Sequence, residues 1–179
     1  MSEFYTMKIA GLERKLELFP VSDKLDIAAF IIFGDVELTV AGCAELLKKV
    51  PNFDVVLTPE AKSIPMAYEM ARQSGKPYII ARKGVKVYMR NPLEVSVNSI
   101  TTKNEQHLYL GESEVEQIKG KRVLIIDDVI STGESLAAVR ELVKQAGAIE
   151  AAACAFLAEG DAADRDDIIF LEKLPLFFK

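Results

Sequence analysis

The stretch Val123-Leu-Ile-Ile-Asp-Asp-Val-Ile-Ser-Thr-Gly-Glu-Ser135 reads as a strand, an acidic pair, a turn and the start of a helix. Val123 to Ile126 form a continuous apolar run without alternation, as expected of a strand buried on both faces of a parallel sheet. The run meets two adjacent carboxylates, Asp127 and Asp128, and then the small turn Ser131-Thr132-Gly133. Beyond Ser135 the apolar spacing becomes helical, with Leu136, Val139, Leu142 and Val143 on one face. Open α/β sheets bind ligands beyond the carboxyl ends of their strands, which is where this turn belongs.

The parts of the stretch specify a chemistry. A helix starting near Gly133 aims unpaired N–H groups and a positive dipole end at the turn, which suits a phosphate. Ser131, Thr132 and Ser135 add hydroxyl donors, and Gly133 permits close backbone approach. Carboxylates aimed at a phosphate would repel it. They fit instead as acceptors for sugar hydroxyls or as neighbours of a hard cation. A ligand with a phosphate at one end and a diol at the other is a ribose 5-phosphate.

The stretch resembles the phosphoribosyl-pyrophosphate (PRPP) signature of the type I phosphoribosyltransferases, position for position. Receiver domains also begin with an apolar run and an acidic pair, but they need far more chain after that strand than follows Asp128 here. The resemblance implies an α/β fold of the type I phosphoribosyltransferase kind. Its parts are an open parallel sheet flanked by helices, a small hood and a flexible β-ribbon loop. It implies one domain over residues 1–179, with the hood built from about residues 1–36 and the C-terminal tail as a further candidate part. Asp127 and Asp128 would be the catalytic pair. Ile130, Ser131, Thr132, Gly133, Glu134 and Ser135 would hold PRPP through its 5-phosphate. Mg2+ is the implied cofactor, held mainly by PRPP with no direct side-chain ligand set.

Upstream, Phe53-Asp-Val-Val-Leu-Thr58 reads as the first core parallel strand, followed by Thr58-Pro-Glu-Ala-Lys-Ser-Ile-Pro65 and a helix with Met66, Met70 and Ala71 inside. A loop backed by a helix N-terminus is a second anion site. In the family the equivalent loop holds pyrophosphate and often contains a non-proline cis peptide. The resemblance assigns that role to Glu60, Ala61, Lys62 and Ser63, where lysine replaces the usual arginine and serine the usual glycine. A single ammonium keeps the charge but loses the bidentate fork. Gly75 to Ala81 is a turn and second strand, and the cluster Arg82-Lys83-Gly84-Val85-Lys86 follows it. Arg82, Lys83 and Lys86 match the Arg-Lys-x-x-Lys of the purine members and would also bind pyrophosphate.

Ala29-Phe-Ile-Ile-Phe-Gly-Asp-Val36 is an apolar run ending at a turn, where Asp35 caps a helix over Val36 to Val50. Val36, Val40, Cys43, Leu46 and Leu47 are its expected stripe. The run resembles the hood segment of adenine phosphoribosyltransferases, so Ile32 and Phe33 would contact the base, Phe33 by stacking. Gly34 stands where that family usually has a basic residue. Before this run, residues 1 to about 27 read as a short helix or irregular arm, with Leu12, Leu16 and Leu18 among charges. Residues 87–110 alternate β-branched and polar side chains, a two-stranded ribbon. Such a ribbon closes over the site in the family. The adenine enzymes carry a loop glutamate here, whereas Ser99 to Lys103 has threonines and resembles the xanthine enzymes and the purine-responsive repressors. Gly111 to Gly120 reads as a charged connector. Ile149 to Leu157 is a further strand ending at Glu159, a base-site candidate by resemblance. Asp161 to Asp167 reads as a solvated acidic loop, and Ile168 to Leu171 as an edge strand before an apolar tail.

Composition narrows the alternatives. Half of the 179 residues are hydrophobic, enough for one α/β core, and the net charge of −5 argues against nucleic-acid or membrane partners. No apolar run approaches the ~20 residues that span a bilayer, and Met-Ser-Glu-Phe lacks the layout of a secretion signal. A cytoplasmic protein with reduced, buried Cys43 and Cys154 is expected. His107 is the single histidine, which argues against a histidine-based triad or zinc site. The expected function is transfer of ribose 5-phosphate from PRPP to a purine in salvage, adenine first, by a homodimer. The alternatives are a xanthine or guanine enzyme, or a non-catalytic regulator that binds PRPP. Such regulators carry a DNA-binding module ahead of this fold, for which the N-terminal arm is too short.

Overall fold

The computed structural model describes residues 3–97 and 106–179. Its N-terminal part is a sheet, which corrects the expectation of a helix or irregular arm. Strands β1 (Phe4–Ile9), β2 (Leu12–Ser22) and β3 (Leu25–Ala29) form an antiparallel meander. Leu12, Leu16 and Leu18 share one parity along β2, so the spacing is that of a strand as well as of a helix. The turn between β1 and β2 uses positive φ at both Ala10 and Gly11, the conformation that matches the twist of a two-residue hairpin. The inward side chains Met7, Ile9, Leu16, Ala28, Phe30 and Ile32 are buried.

Asp35 caps α1 (Val36–Leu47), accepting from the Leu38 N–H at 3.1 Å. Arg14 of β2 donates to both oxygens of Asp35, at 2.6 and 2.9 Å, and ties the antiparallel sheet to the helix start. The buried face of α1 is Leu38, Thr39, Gly42, Cys43 and Leu46, while Val36 and Val40 are exposed. The expected stripe is therefore rotated. Gly42 touches the ring of Phe156, where a β-carbon would overlap it, and this close approach sets the helix face.

The core sheet begins with β4 (Val55–Pro59), followed by α2 (Ile64–Ser74) and β5 (Tyr78–Ala81). A two-stranded ribbon, β6 (Leu93–Val97) and β7 (Gln106–Leu110), comes next, with antiparallel register from Leu93↔Leu110 to Val97↔Gln106. The loop threonines near Ser99 to Lys103 lie outside the described residues. The expected connector contains a helix, α3 (Glu112–Ile118), with Glu112 and Glu114 in its first turn favoured by the dipole. Then follow β8 (Arg122–Ile130), α4 (Glu134–Gln145), β9 (Ile149–Glu159), a 3-10 turn over Gly160–Asp164, and β10 (Ile169–Leu174). The final β11 (Phe177–Phe178) pairs with β3 and completes the antiparallel sheet, and Phe177 packs edge-on against Tyr5 at 5.1 Å.

The five core strands are all parallel, in the order β10-β9-β8-β4-β5. The chain leaves β4 in one direction along the sheet and β8 in the other, so β4 and β8 flank the switch point where α/β sheets bind ligands. Val123 and Ile125 pack with α3 and α4, while Leu124 and Ile126 pack with α1, α2 and the antiparallel sheet. Both faces of β8 are covered, which is why its sequence does not alternate. The strand also runs past its apolar stretch. Asp127 and Asp128 lie inside β8, which continues to Ile130. Burial pushes the thiols of Cys43 and Cys154 up. No helix among the described residues is long and apolar enough to cross a membrane.

Candidate active site

Three chain segments converge at the carboxyl ends of β4, β5 and β8. After β8, the turn Ser131–Gly133 leads into α4 with Gly133 at its N-cap, φ +82°. No side chain caps this helix, and among the described residues the one local acceptor is Thr132 Oγ1, 3.5 Å from the Glu134 N–H. The N–H groups of the first turn are thus left to an anion. Ser131, Thr132 and Ser135 are exposed, Gly133 and Glu134 are half-buried, and Ile130 is buried behind them.

The acidic pair is held from the side of β4. Ser63, at the start of α2, does not cap its own helix. Its hydroxyl donates to Asp127 Oδ1 at 3.1 Å and accepts from Thr58 Oγ1 at 2.7 Å. Thr58 sits at the end of β4, fully buried, with its hydroxyl also 3.1 Å from the Ile126 carbonyl. Thr58 and Ser63 therefore fix Asp127 across the switch point. Asp127 Oδ1 accepts the Asp128 N–H as well, at 2.9 Å. Burial, and then the charge of Asp128, push the Asp127 carboxyl up to about 7.

Asp128 is buried, and its Oδ2 accepts no hydrogen bond among the described residues. The ammonium of Lys62 lies 3.5 Å away and supplies charge without a bond. An unsatisfied buried carboxylate oxygen is costly, so this atom is an acceptor waiting for a donor.

The loop after β4 contains the cis peptide Glu60–Ala61. Glu60 joins this loop to the segment after β5, accepting the Lys83 N–H at 3.0 Å and lying 3.4 Å from Arg82 Nη2. Arg82 also exchanges backbone bonds of 2.9 and 2.8 Å with Tyr109, which anchors the ribbon beside the site. Lys62, Arg82, Lys83 and Lys86 thus stand on two adjoining loops. Lys83 and Lys86 have no ion pair among the described residues.

Of the base-site candidates, Ile32 is 1% exposed and packs in the core, whereas Phe33 is 53% exposed. Gly34 adopts φ +83°, which explains glycine at that position. Glu159 is half-buried at the end of β9. Burial pushes its carboxyl up, and the charge of Lys62 opposes that shift. Among the described residues no three acidic, histidine or cysteine side chains form a metal cage. Such a donor set suits a cation brought with a phosphorylated ligand better than one held by side chains alone. Sequence reasoning missed Thr58, whose neighbour is 68 positions away, and Arg165, whose guanidinium lies against Gly133.

Comparison with known proteins agrees with this geometry. Residues 34–175 match the family model described as the phosphoribosyl transferase domain. A hypoxanthine/guanine phosphoribosyltransferase of Methanocella arvoryzae is 34% identical over 131 residues, 73% of this chain and 62% of the relative. The chain thus spans less than two thirds of that relative's length. An adenine phosphoribosyltransferase of Thermotoga petrophila is 37% identical over 108 residues, 60% of each chain. Among solved structures, an adenine phosphoribosyltransferase of Thermoanaerobacter pseudethanolicus shares the fold, with TM-score 0.72 at 22% identity over 89% of this chain and 95% of the other.

Proposed function

Since this chain belongs to the phosphoribosyltransferase domain family, we propose that it transfers ribose 5-phosphate from PRPP to a purine base. The observation that carries the reading is Asp128 Oδ2, a buried acceptor without a hydrogen bond among the described residues, near the uncapped start of α4 and 3.5 Å from Lys62. A ribose diol supplies the missing donors, the 5-phosphate takes the turn, and pyrophosphate takes the loops of Lys62, Arg82, Lys83 and Lys86, with Glu60, Ala61 and Ser63 shaping the first of them.

In the reaction the purine ring nitrogen forms a bond to the anomeric carbon, the bond to the pyrophosphate oxygen breaks, and the nitrogen proton is released. Positive charge develops on the ribose ring as pyrophosphate departs. Asp127 and Asp128 stabilise that charge from fixed positions, which requires no reorganisation at the moment of reaction. The phosphate turn holds the anomeric carbon in line through remote binding energy. Magnesium, held by PRPP itself, would neutralise the leaving group.

Adenine is the favoured base. Phe33 offers a stacking face, and Glu159 offers an acceptor to an exocyclic amine. A 6-oxo purine wants a donor where Glu159 presents a carboxylate. The names of the relatives above support both readings, with hypoxanthine or guanine as the second.

PRPP with magnesium is expected to raise the melting temperature in a concentration-dependent way, since a ligand at about 100 times its Kd adds about 2.7 kcal/mol to native stability. A thermal-shift titration measures this. An unchanged melting temperature up to millimolar PRPP would remove the basis for assigning the turn and the acidic pair.

A further inference from the structure

The turn assigned to the 5-phosphate has a cation beside it that belongs to no motif. Arg165 follows the 3-10 turn after β9, 33 positions beyond Thr132 in the chain. Its Nε and Nη2 donate to Asp167 Oδ1 and Oδ2 at 2.8 and 2.7 Å, a side-on bidentate pair. Asp167 is held in turn by Arg140 of α4 at 2.6 Å. Arg140 is fixed by Glu150 of β9, with contacts of 2.8 to 3.0 Å. One edge of the Arg165 guanidinium is therefore braced on the scaffold. The remaining nitrogen, Nη1, has no acceptor among the described residues and lies so close to Gly133 that a β-carbon there would overlap it.

The electrostatics of the turn call for such a group. The Asp127–Asp128 pair places negative charge within the strand that feeds the turn. A dianionic phosphate seated there is repelled by them, and a partial dipole charge of about half a unit offsets that only in part. A guanidinium on the other side adds a full charge and a directed donor. We propose that Arg165 is a binding residue for the 5-phosphate, its Nη1 donating to a phosphate oxygen on the Ser131–Ser135 turn while Asp167 sets its orientation. This rests on the reading of that turn as the phosphate site.

The test is direct binding of ribose 5-phosphate and of inorganic pyrophosphate to the wild type, Arg165→Gln and Arg165→Lys, with melting temperatures recorded. Loss of a charge-assisted bond is expected to weaken ribose 5-phosphate about tenfold or more in Arg165→Gln, with a matching rise in the KM for PRPP. Pyrophosphate affinity and the KM for the base should stay unchanged, and lysine should restore part of the loss. A purely structural role would lower the melting temperature and weaken both ligands alike, which overturns the assignment. So does wild-type affinity of Arg165→Gln for ribose 5-phosphate. If the wild type itself does not bind ribose 5-phosphate, and Thr132→Ala leaves the KM for PRPP unchanged, the reading of the turn fails and this inference with it.

Discussion

Asparagine at both Asp127 and Asp128 is expected to lower kcat by at least about a hundredfold, and at either position alone by at least about tenfold. Preorganised groups aimed at developing charge contribute a few kcal/mol each, and asparagine keeps the shape while removing the negative charge. The same change should stabilise the unliganded protein. The Asp127 carboxyl stands at about 7 in the fold against an ordinary 3.8, because burial and the Asp128 charge disfavour its ionised form. The native state thus holds a proton that the unfolded chain has released. Its contribution to stability is full below about pH 4 and is lost as the pH rises through about 7. Asp127→Asn should therefore melt at a higher temperature than the wild type, with the gap opening between those values and level above pH 7. A shift of about 2–4 °C for each kcal/mol is expected in a chain of this size. Steady-state kinetics and melting curves at pH 5 and pH 8 check both halves. Wild-type turnover in the double variant would refute the role of the pair.

Alanine at Gly133 is expected to raise the KM for PRPP by at least about tenfold. A left-handed backbone costs a residue with a β-carbon roughly 1–2 kcal/mol, and Gly133 has φ +82°. The added carbon would also overlap Arg165 Nη1, so either the guanidinium or the turn must move. Movement of the turn misdirects the N–H groups that begin α4. The melting temperature should fall by a few degrees while base affinity changes little. Measurement of both KM values and of thermal stability decides this. Unchanged PRPP kinetics would mean that the turn holds no phosphate.

The central strand, its acidic pair and the helix after it were legible because they are contiguous. Val123 to Ile126 lacks alternation for the reason the structure gives, burial against α4 on one face and against α1 and α2 on the other. The loops at Glu60 and Arg82 were legible from their place after β4 and β5. What the sequence hid is mostly a matter of parity and distance. Leu12, Leu16 and Leu18 fit a strand as well as a helix, and Ala10-Gly11 was the unread hairpin signal. On α1, Val36 and Val40 have the right spacing for a core stripe. The helix turns Gly42 inward instead, because only glycine admits the Phe156 ring so closely. In α3, Gly111 followed by Glu112 and Glu114 was a helix start read as a connector. Thr58 and Ser63 reach the strand of the acidic pair, and Arg165 the turn, from 32 to 68 positions away. Local pattern holds no trace of such contacts.

The most direct test of phosphoribosyl transfer is a turnover assay with PRPP, magnesium and, in separate reactions, adenine, hypoxanthine, guanine, xanthine and orotate. Nucleotide and pyrophosphate are both quantified. Equal amounts of the two products are expected from a purine, with the highest kcat/KM for adenine and no product from orotate. Folded protein that forms no nucleotide from any of the four purines would contradict phosphoribosyl transfer.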